Sequence, residues 1–168
     1  MSATEMERLR GELRGLIVGR RVVLMGVGNR LRGDDAFGVV LAERIEDEAP
    51  VPVFVCHDLP EDYAVKAADL RPEVVIVLDA ADFGGHPGEV RLIEAQDIPP
   101  TPGVTHRPSL EMMARFLELD AGAETWVLSA QPAMKCVDLG TPLSEQITGA
   151  IEQMRGLLLE LLPAAESY

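Results

Sequence analysis

The chain has 168 residues, with 15 Lys+Arg against 28 Asp+Glu and a formal charge of −13. That length suits one domain, residues 1–168, whose core can fold without disulfides or a structural metal; two cysteines, Cys56 and Cys136, fit a reducing cytoplasm better than a secreted scaffold. Two lysines, Lys66 and Lys135, and no apolar run near the ~20 residues of a membrane span argue against nucleic acid and a bilayer as partners.

Strand-like and helix-like segments alternate, which predicts an α/β layered fold. Ala3 to Leu16 sets Met6, Leu9, Leu13 and Leu16 at helical spacing between charges and predicts an accessory helix within residues 1–20. Arg21 to Val27 is a nearly continuous apolar run, as in a central strand covered on both faces. Ala36 to Glu48 carries Val40, Leu41 and Ile45 on one helical face. Further strands are expected at Val51 to His57, Val74 to Asp79, Val90 to Ile93 and Thr125 to Ser129. Leu110, Met113, Phe116 and Leu117 mark another amphipathic helix. Ile147, Ile151, Met154, Leu158 and Leu161 mark the last one, with Thr141-Pro142 as its expected cap.

In a mostly parallel sheet the carboxyl ends of the strands share one edge, where open α/β folds bind ligands. The loops after the strands hold Gly28 to Asp35, Asp58 to Asp62, Asp79 to Gly88 and Gln131-Pro132, and the stretch from Gln96 to Pro108 brings His106 just before a helix. Gly26 to Asp35 superficially resembles a phosphate-binding glycine loop. A dinucleotide loop, however, requires Gly where Leu31 stands, a Walker A loop requires a Lys, and adjacent acids repel a pyrophosphate. At ~4 Å two like charges repel by about 4 kcal/mol at an effective dielectric near 20, so Asp34 and Asp35 suit a cation or a protonated carboxylate; the competing reading is a helix cap. Asp79, at the end of an apolar strand and followed by Asp82, is either a turn former or a second carboxylate of the same site. His106, at a helix start that disfavours imidazolium, is either a solvated loop residue or a neutral metal ligand. Two carboxylates and an imidazole suit a borderline divalent ion such as nickel or zinc.

Nucleophilic catalysis has little support. Cys56 and His57 are strand neighbours that point to opposite faces. Ser129 lacks a Gly-x-Ser-x-Gly elbow, and Cys136 reads as packing.

The motif Gly26-x-Gly28-Asn29-x-Leu31-x-Gly33-Asp34-Asp35-x-x-Gly38 resembles the opening of the hydrogenase maturation endopeptidases. The likeness continues through Leu70-Arg71-Pro72, Leu78-Asp79-Ala80-Ala81-Asp82-x-Gly84-x-x-Pro87-Gly88-Glu89-Val90-Arg91, Asp97-Ile98, Thr105-His106 and Gln131-Pro132, and is greatest to the hydrogenase-3-type branch. The resemblance implies a three-layer α/β/α domain with a twisted, mainly parallel five-stranded sheet. It also implies a cytoplasmic, monomeric endopeptidase that removes the C-terminal extension of a [NiFe]-hydrogenase large-subunit precursor once nickel is inserted. The nickel is recognised within the substrate, and no organic cofactor is expected. The family's metal-binding acid, its Asp after the third strand and its later His fall here on Asp35, Asp79 and His106; Asp35 and Asp79 are also the expected catalytic groups. Water activation stays open between the metal and a carboxylate such as Asp35 acting as general base. The family is classed with aspartic-type peptidases, yet this chain has no symmetric pair of Asp-Thr-Gly motifs.

The chain also departs from the pattern. Ala36-Phe37 follows the acids where Gly is frequent, and Cys56 to Glu61 replaces a glycine-containing loop, so that His57 and Asp58 either add ligands or form a solvated turn. Two other functional readings compete, the first on the same skeleton and the second on a shared Gly-x-Gly-Asn opening. One is a phosphoacceptor receiver module with Asp79 as acceptor, opposed by the seven residues from Gly28 to Asp34 that separate the first strand from Asp35 and by Gln131-Pro132 where Lys-Pro is expected. The other is a peptidyl-tRNA hydrolase-like enzyme, opposed by the acidic surface.

Overall fold

In the computed structural model the described residues are 1–97, 107–133, 137–166 and 168, with residues 107–109 described in backbone only. His106 and Cys136 therefore lie outside them. The elements in chain order are α1 (Ala3–Ile17), β1 (Val22–Val27), α2 (Phe37–Ile45), β2 (Val53–His57), α3 (Ala64–Asp69), β3 (Val74–Ala80), β4 (Val90–Glu94), α4 (Arg107–Ala121), β5 (Glu124–Ala130) and α5 (Glu145–Leu161). All five expected strands form. They order as β2-β1-β3-β5-β4, with β4 antiparallel to β5 and the other pairs parallel.

The long Val-rich runs become the central strands because every residue of β1 and of β3 is buried. Side chains alternate across the sheet, so Val74, Ile76, Leu78 and Ala80 join the core under α1, α2 and α5, while Val75 and Val77 join the core under α3 and α4. The outcome is a three-layer α/β/α domain. Asp79, in step with Val75 and Val77, stands on the α3/α4 face.

Helix α1 is part of this core. A reciprocal capping box starts it, with the Ser2 N–H donating to Glu5 Oε2 at 2.7 Å and the Glu5 N–H donating to Ser2 Oγ at 3.3 Å. Its buried stripe is Leu9, Leu13 and Ile17; Leu16, expected in the stripe, is half-buried beside it. The helix packs on α5 and β4, and Arg10 pairs with Glu160 of α5.

Two expectations shift. The N-cap of α5 is Ser144, whose Oγ accepts the Ile147 N–H at 3.2 Å, while the Thr141 hydroxyl donates to the Asp138 carbonyl at 2.6 Å and closes its own turn. In α4 the buried stripe is Leu110, Met113 and Leu117; Phe116 is turned to the rim and is 36% exposed.

Helix α2 lies unusually close to the sheet. A Cβ on Gly38 would overlap the Leu78 carbonyl and sit 2.5 Å from the Val27 carbonyl, and one on Gly26 would overlap Ala42 and sit 2.6 Å from the Gly38 carbonyl. Backbone atoms cannot swing aside as a side chain can. Gly38→Ala should therefore cost about 3 kcal/mol in urea unfolding, whereas Gly11→Ala in α1, where a Cβ meets nothing within 4 Å, should stabilise by up to about 1 kcal/mol.

Candidate active site

The turn after β1 is folded back on itself. Gly28 has φ +129°, a conformation that L side chains rarely adopt, and a Cβ there would overlap the Asp35 carbonyl. The Asn29 N–H donates to Asp35 Oδ2 at 3.0 Å, and the Asn29 side chain accepts the Leu31 N–H at 2.9 Å. Its amide nitrogen donates to Asp58 Oδ2 at 2.8 Å, tying the loops after β1 and β2 together. Gly33–Ala36 then forms a 3-10 turn leading into α2, with both acids inside it.

These neighbouring acids have different surroundings. Asp34 is 0% exposed and reaches across to the loop after β5: Oδ2 accepts the Ala133 N–H at 2.9 Å and the Ser144 hydroxyl at 2.9 Å, and Oδ1 accepts the Ser144 N–H at 2.7 Å. Its carboxylate is therefore placed at the positive N-terminal end of α5, where it holds the N-cap residue Ser144. Asp35 is 5% exposed and is oriented by Asn29.

Asp79 is 2% exposed at the end of β3, in register with Ser129 of β5. The buried Ser129 hydroxyl has no hydrogen-bond partner among the described residues. Helix α4 runs back along this face: it ends at Ala121 and turns through Gly122 into β5, and its 15 residues span ~22 Å, matching the ~23 Å of the seven-residue strand. The start of α4 at Arg107 thus stands at the carboxyl edge, on the face that carries Asp79. Asp35 and Asp79 come to one edge of the sheet. Among the described residues no group of three or more His, Cys, Asp and Glu is arranged to hold a metal ion, and His106 is not among them.

The loop after β2 has a backbone reason for its unusual sequence. The pairing register slips between Gly26 and Val27, which leaves Cys56 as an extra residue and puts His57 at φ +52°. That is a glycine-like position filled by an exposed His, with the Gly28 N–H donating to its carbonyl at 3.0 Å. Cys56 points inward, where burial pushes its thiol up to about 12, and it is a core residue and not a nucleophile.

Comparisons with known proteins agree with one another. The family model described as "HycI: Hydrogenase maturation protease" matches residues 57–161. The hydrogenase 3 maturation protease of Escherichia coli K12 is 36% identical over 134 residues, covering 77% of this chain and 83% of that protein. The crystal structure of a [NiFe] hydrogenase maturation protease HycI from Thermococcus kodakarensis superposes with a TM-score of 0.78 at 30% identity, covering 90% of this chain and 99% of that one. The solution structure of the endopeptidase HycI from Escherichia coli has a TM-score of 0.68 at 28% identity, covering 83% and 89%. The receiver and peptidyl-tRNA hydrolase readings are not favoured by these likenesses. The sheet also differs from the receiver arrangement, which winds 2-1-3-4-5, whereas here β5 lies inside an antiparallel β4.

Asp34 and Asp35 should fail differently when replaced. Asp34→Ala leaves the part-buried N–H groups of Ala133 and Ser144 and the Ser144 hydroxyl without their acceptor, and is expected to cost about 3 kcal/mol, read as a fall of roughly 6–12 °C in Tm. Asp35→Asn keeps an acceptor for the Asn29 N–H and should change Tm by less than about 3 °C.

Proposed function

The chain belongs to the hydrogenase maturation protease family, as an endopeptidase of the hydrogenase-3 type, and from that membership we propose that its substrate is the large-subunit precursor of a [NiFe]-hydrogenase, cut to release a C-terminal extension. Asp35, Asp79 and His106 recognise the nickel that the precursor already carries. The observation that supports this most is the burial of two carboxylates, Asp35 and Asp79, at the carboxyl edge beside the start of α4. Two hard oxygen donors and one imidazole are a suitable donor set for a borderline divalent ion. Nickel is here part of the substrate, and holding it fixes one peptide bond in the cleft; such placement supplies several kcal/mol of barrier lowering.

Asp35 has two roles open to it, as a ligand to the incoming metal and as the general base for water. Its hydrogen bond from the Asn29 N–H fixes the carboxylate orientation in either role. Asp79 is held on the central strand, which positions it rigidly. The protein works in the cytoplasm as a monomer on this reading, consistent with its low cysteine content, and no helix among the described residues is long and apolar enough to cross a membrane.

The test is cleavage of purified precursor with and without nickel, followed by the loss of mass at its C-terminus. Only nickel-loaded precursor should be processed, and equal cleavage of the nickel-free form defeats metal recognition. Asp79→Asn and His106→Ala should each lower processing by about a hundredfold or more while the circular dichroism spectrum stays that of the wild type. Full activity in both variants removes them from the mechanism.

A further inference from the structure

The turn of residues 82–88, which begins three residues after Asp79, is held by a buried side chain that the reading above does not use. Gln131 directly follows β5 and is 4% exposed. Its Oε1 accepts the backbone N–H groups of Phe83 and Gly85, each at 3.0 Å, and its Nε2 donates to Asp82 Oδ1 at 3.1 Å and to the Pro132 carbonyl at 3.3 Å. Its main chain is tied to the same segment: the Gln131 N–H donates to the Glu89 carbonyl at 2.8 Å and the Gly88 N–H donates to the Gln131 carbonyl at 2.9 Å. Two converging N–H donors identify which end of the amide is oxygen. With two donors and two acceptor sites all used, the side chain has nothing left for a ligand. It acts through what it holds.

The far side of the turn is tied as well. Glu89 Oε2 accepts the His86 N–H at 3.0 Å, Glu89 Oε1 accepts from Arg91 Nε at 2.7 Å, and the Arg91 guanidinium lies 4.6 Å from the centre of the Phe83 ring. Asp82 Oδ1 also accepts the Gly84 N–H at 3.1 Å. Gly84, His86 and Pro87 are left exposed at the crest, at the carboxyl edge.

We infer that Gln131 is a positioning residue of this peptidase: by docking residues 82–88 onto the end of β5 it holds the turn beside Asp79 at the carboxyl edge, against which the scissile segment lies. The inference rests on the proposed reading of the site. Gln131→Glu keeps an acceptor for Phe83 and Gly85 but sets a carboxylate against Asp82, and Asp82→Asn on that background removes the like-charge contact and supplies an amide donor in its place. Alone, Asp82→Asn keeps an acceptor for Gln131 and should stay close to wild type.

The experiment compares wild type, the two single variants and the double variant on nickel-loaded precursor, with amide exchange at Phe83 and Gly85 measured alongside. In Gln131→Glu, KM should rise about tenfold with kcat changed by less than about threefold and with faster exchange at both amides; the double variant should return KM to within about threefold of wild type. An unchanged KM in Gln131→Glu overturns the inference, as does a loss that the second substitution fails to restore. A lowered melting temperature with unaltered KM assigns Gln131 a purely structural role and also overturns it. Failure of the wild-type protein to cleave the precursor defeats the nickel-precursor reading instead, and amide exchange then decides the clamp: unchanged exchange in Gln131→Glu overturns it.

Discussion

The absence of a side chain at Gly26 and Gly38 lets α2 rest directly on the backbone of β1 and β3, and the geometry of the carboxyl edge follows from that contact. With Gly38 against the Leu78 carbonyl, the first turn of α2 sits immediately beside the strand residue that precedes Asp79. The chain leaving β1 has little room to reach that helix and does so through the folded turn at Gly28 and the 3-10 turn at Gly33–Ala36. Asp35 is delivered by the second of these turns. The glycines that superficially suggest a phosphate loop thus serve helix–sheet packing, and the carboxylates occupy the edge where an anion would otherwise be bound.

Burying two consecutive acids is unfavourable unless each finds donors of its own. Asp34 turns away from the edge to the Ala133 N–H and to the N-terminus of α5, where oriented N–H and O–H dipoles face its carboxylate. The Ser144 hydroxyl donates to Asp34 while accepting from Ile147, which links the acid to the first turn of α5. The loops after β1 and β5 are consequently braced together behind the site. Asp35 is left to the front, where Asn29 orients it and where Asp58 joins through the same asparagine. One residue of separation in sequence therefore divides a structural anion from a candidate ligand.

The strands were legible because Val and Ile runs buried on both faces have few alternatives, and the amphipathic stripes of α1, α2 and α5 were legible from their spacing. Asp35 and Asp79 were also visible, the one in the loop that follows an apolar strand and the other at the end of one. What escaped the sequence depends on long-range hydrogen bonds: Asp34 reaches a partner 110 positions away, and Gln131 reaches amides 48 and 46 positions away. Local patterns carry no trace of such pairs. Helix α3 has six residues, too few for a periodic signal, and Thr141-Pro142 imitates a cap that Ser144 supplies because its hydroxyl is the one that reaches the third helical amide. His57 hides a positive φ behind a side chain that rarely adopts it.

The same contrast bears on how a peptidase of this kind can work. Cys56 has a thiol raised to about 12 by burial and is turned into the core, and the Ser129 hydroxyl is buried with no hydrogen-bond partner among the described residues. Neither is poised as a nucleophile. Among the described residues Asp35 and Asp79 are buried acids at the carboxyl edge, and buried acids interact most strongly with a cation that brings its own positive charge. On the proposed reading that cation arrives inside the substrate. A precursor without nickel then offers the edge no compensating charge, so recognition and placement of the peptide bond depend on the same event, and an acidic protein of modest size needs no resident cofactor to discriminate a metal-loaded substrate from an empty one.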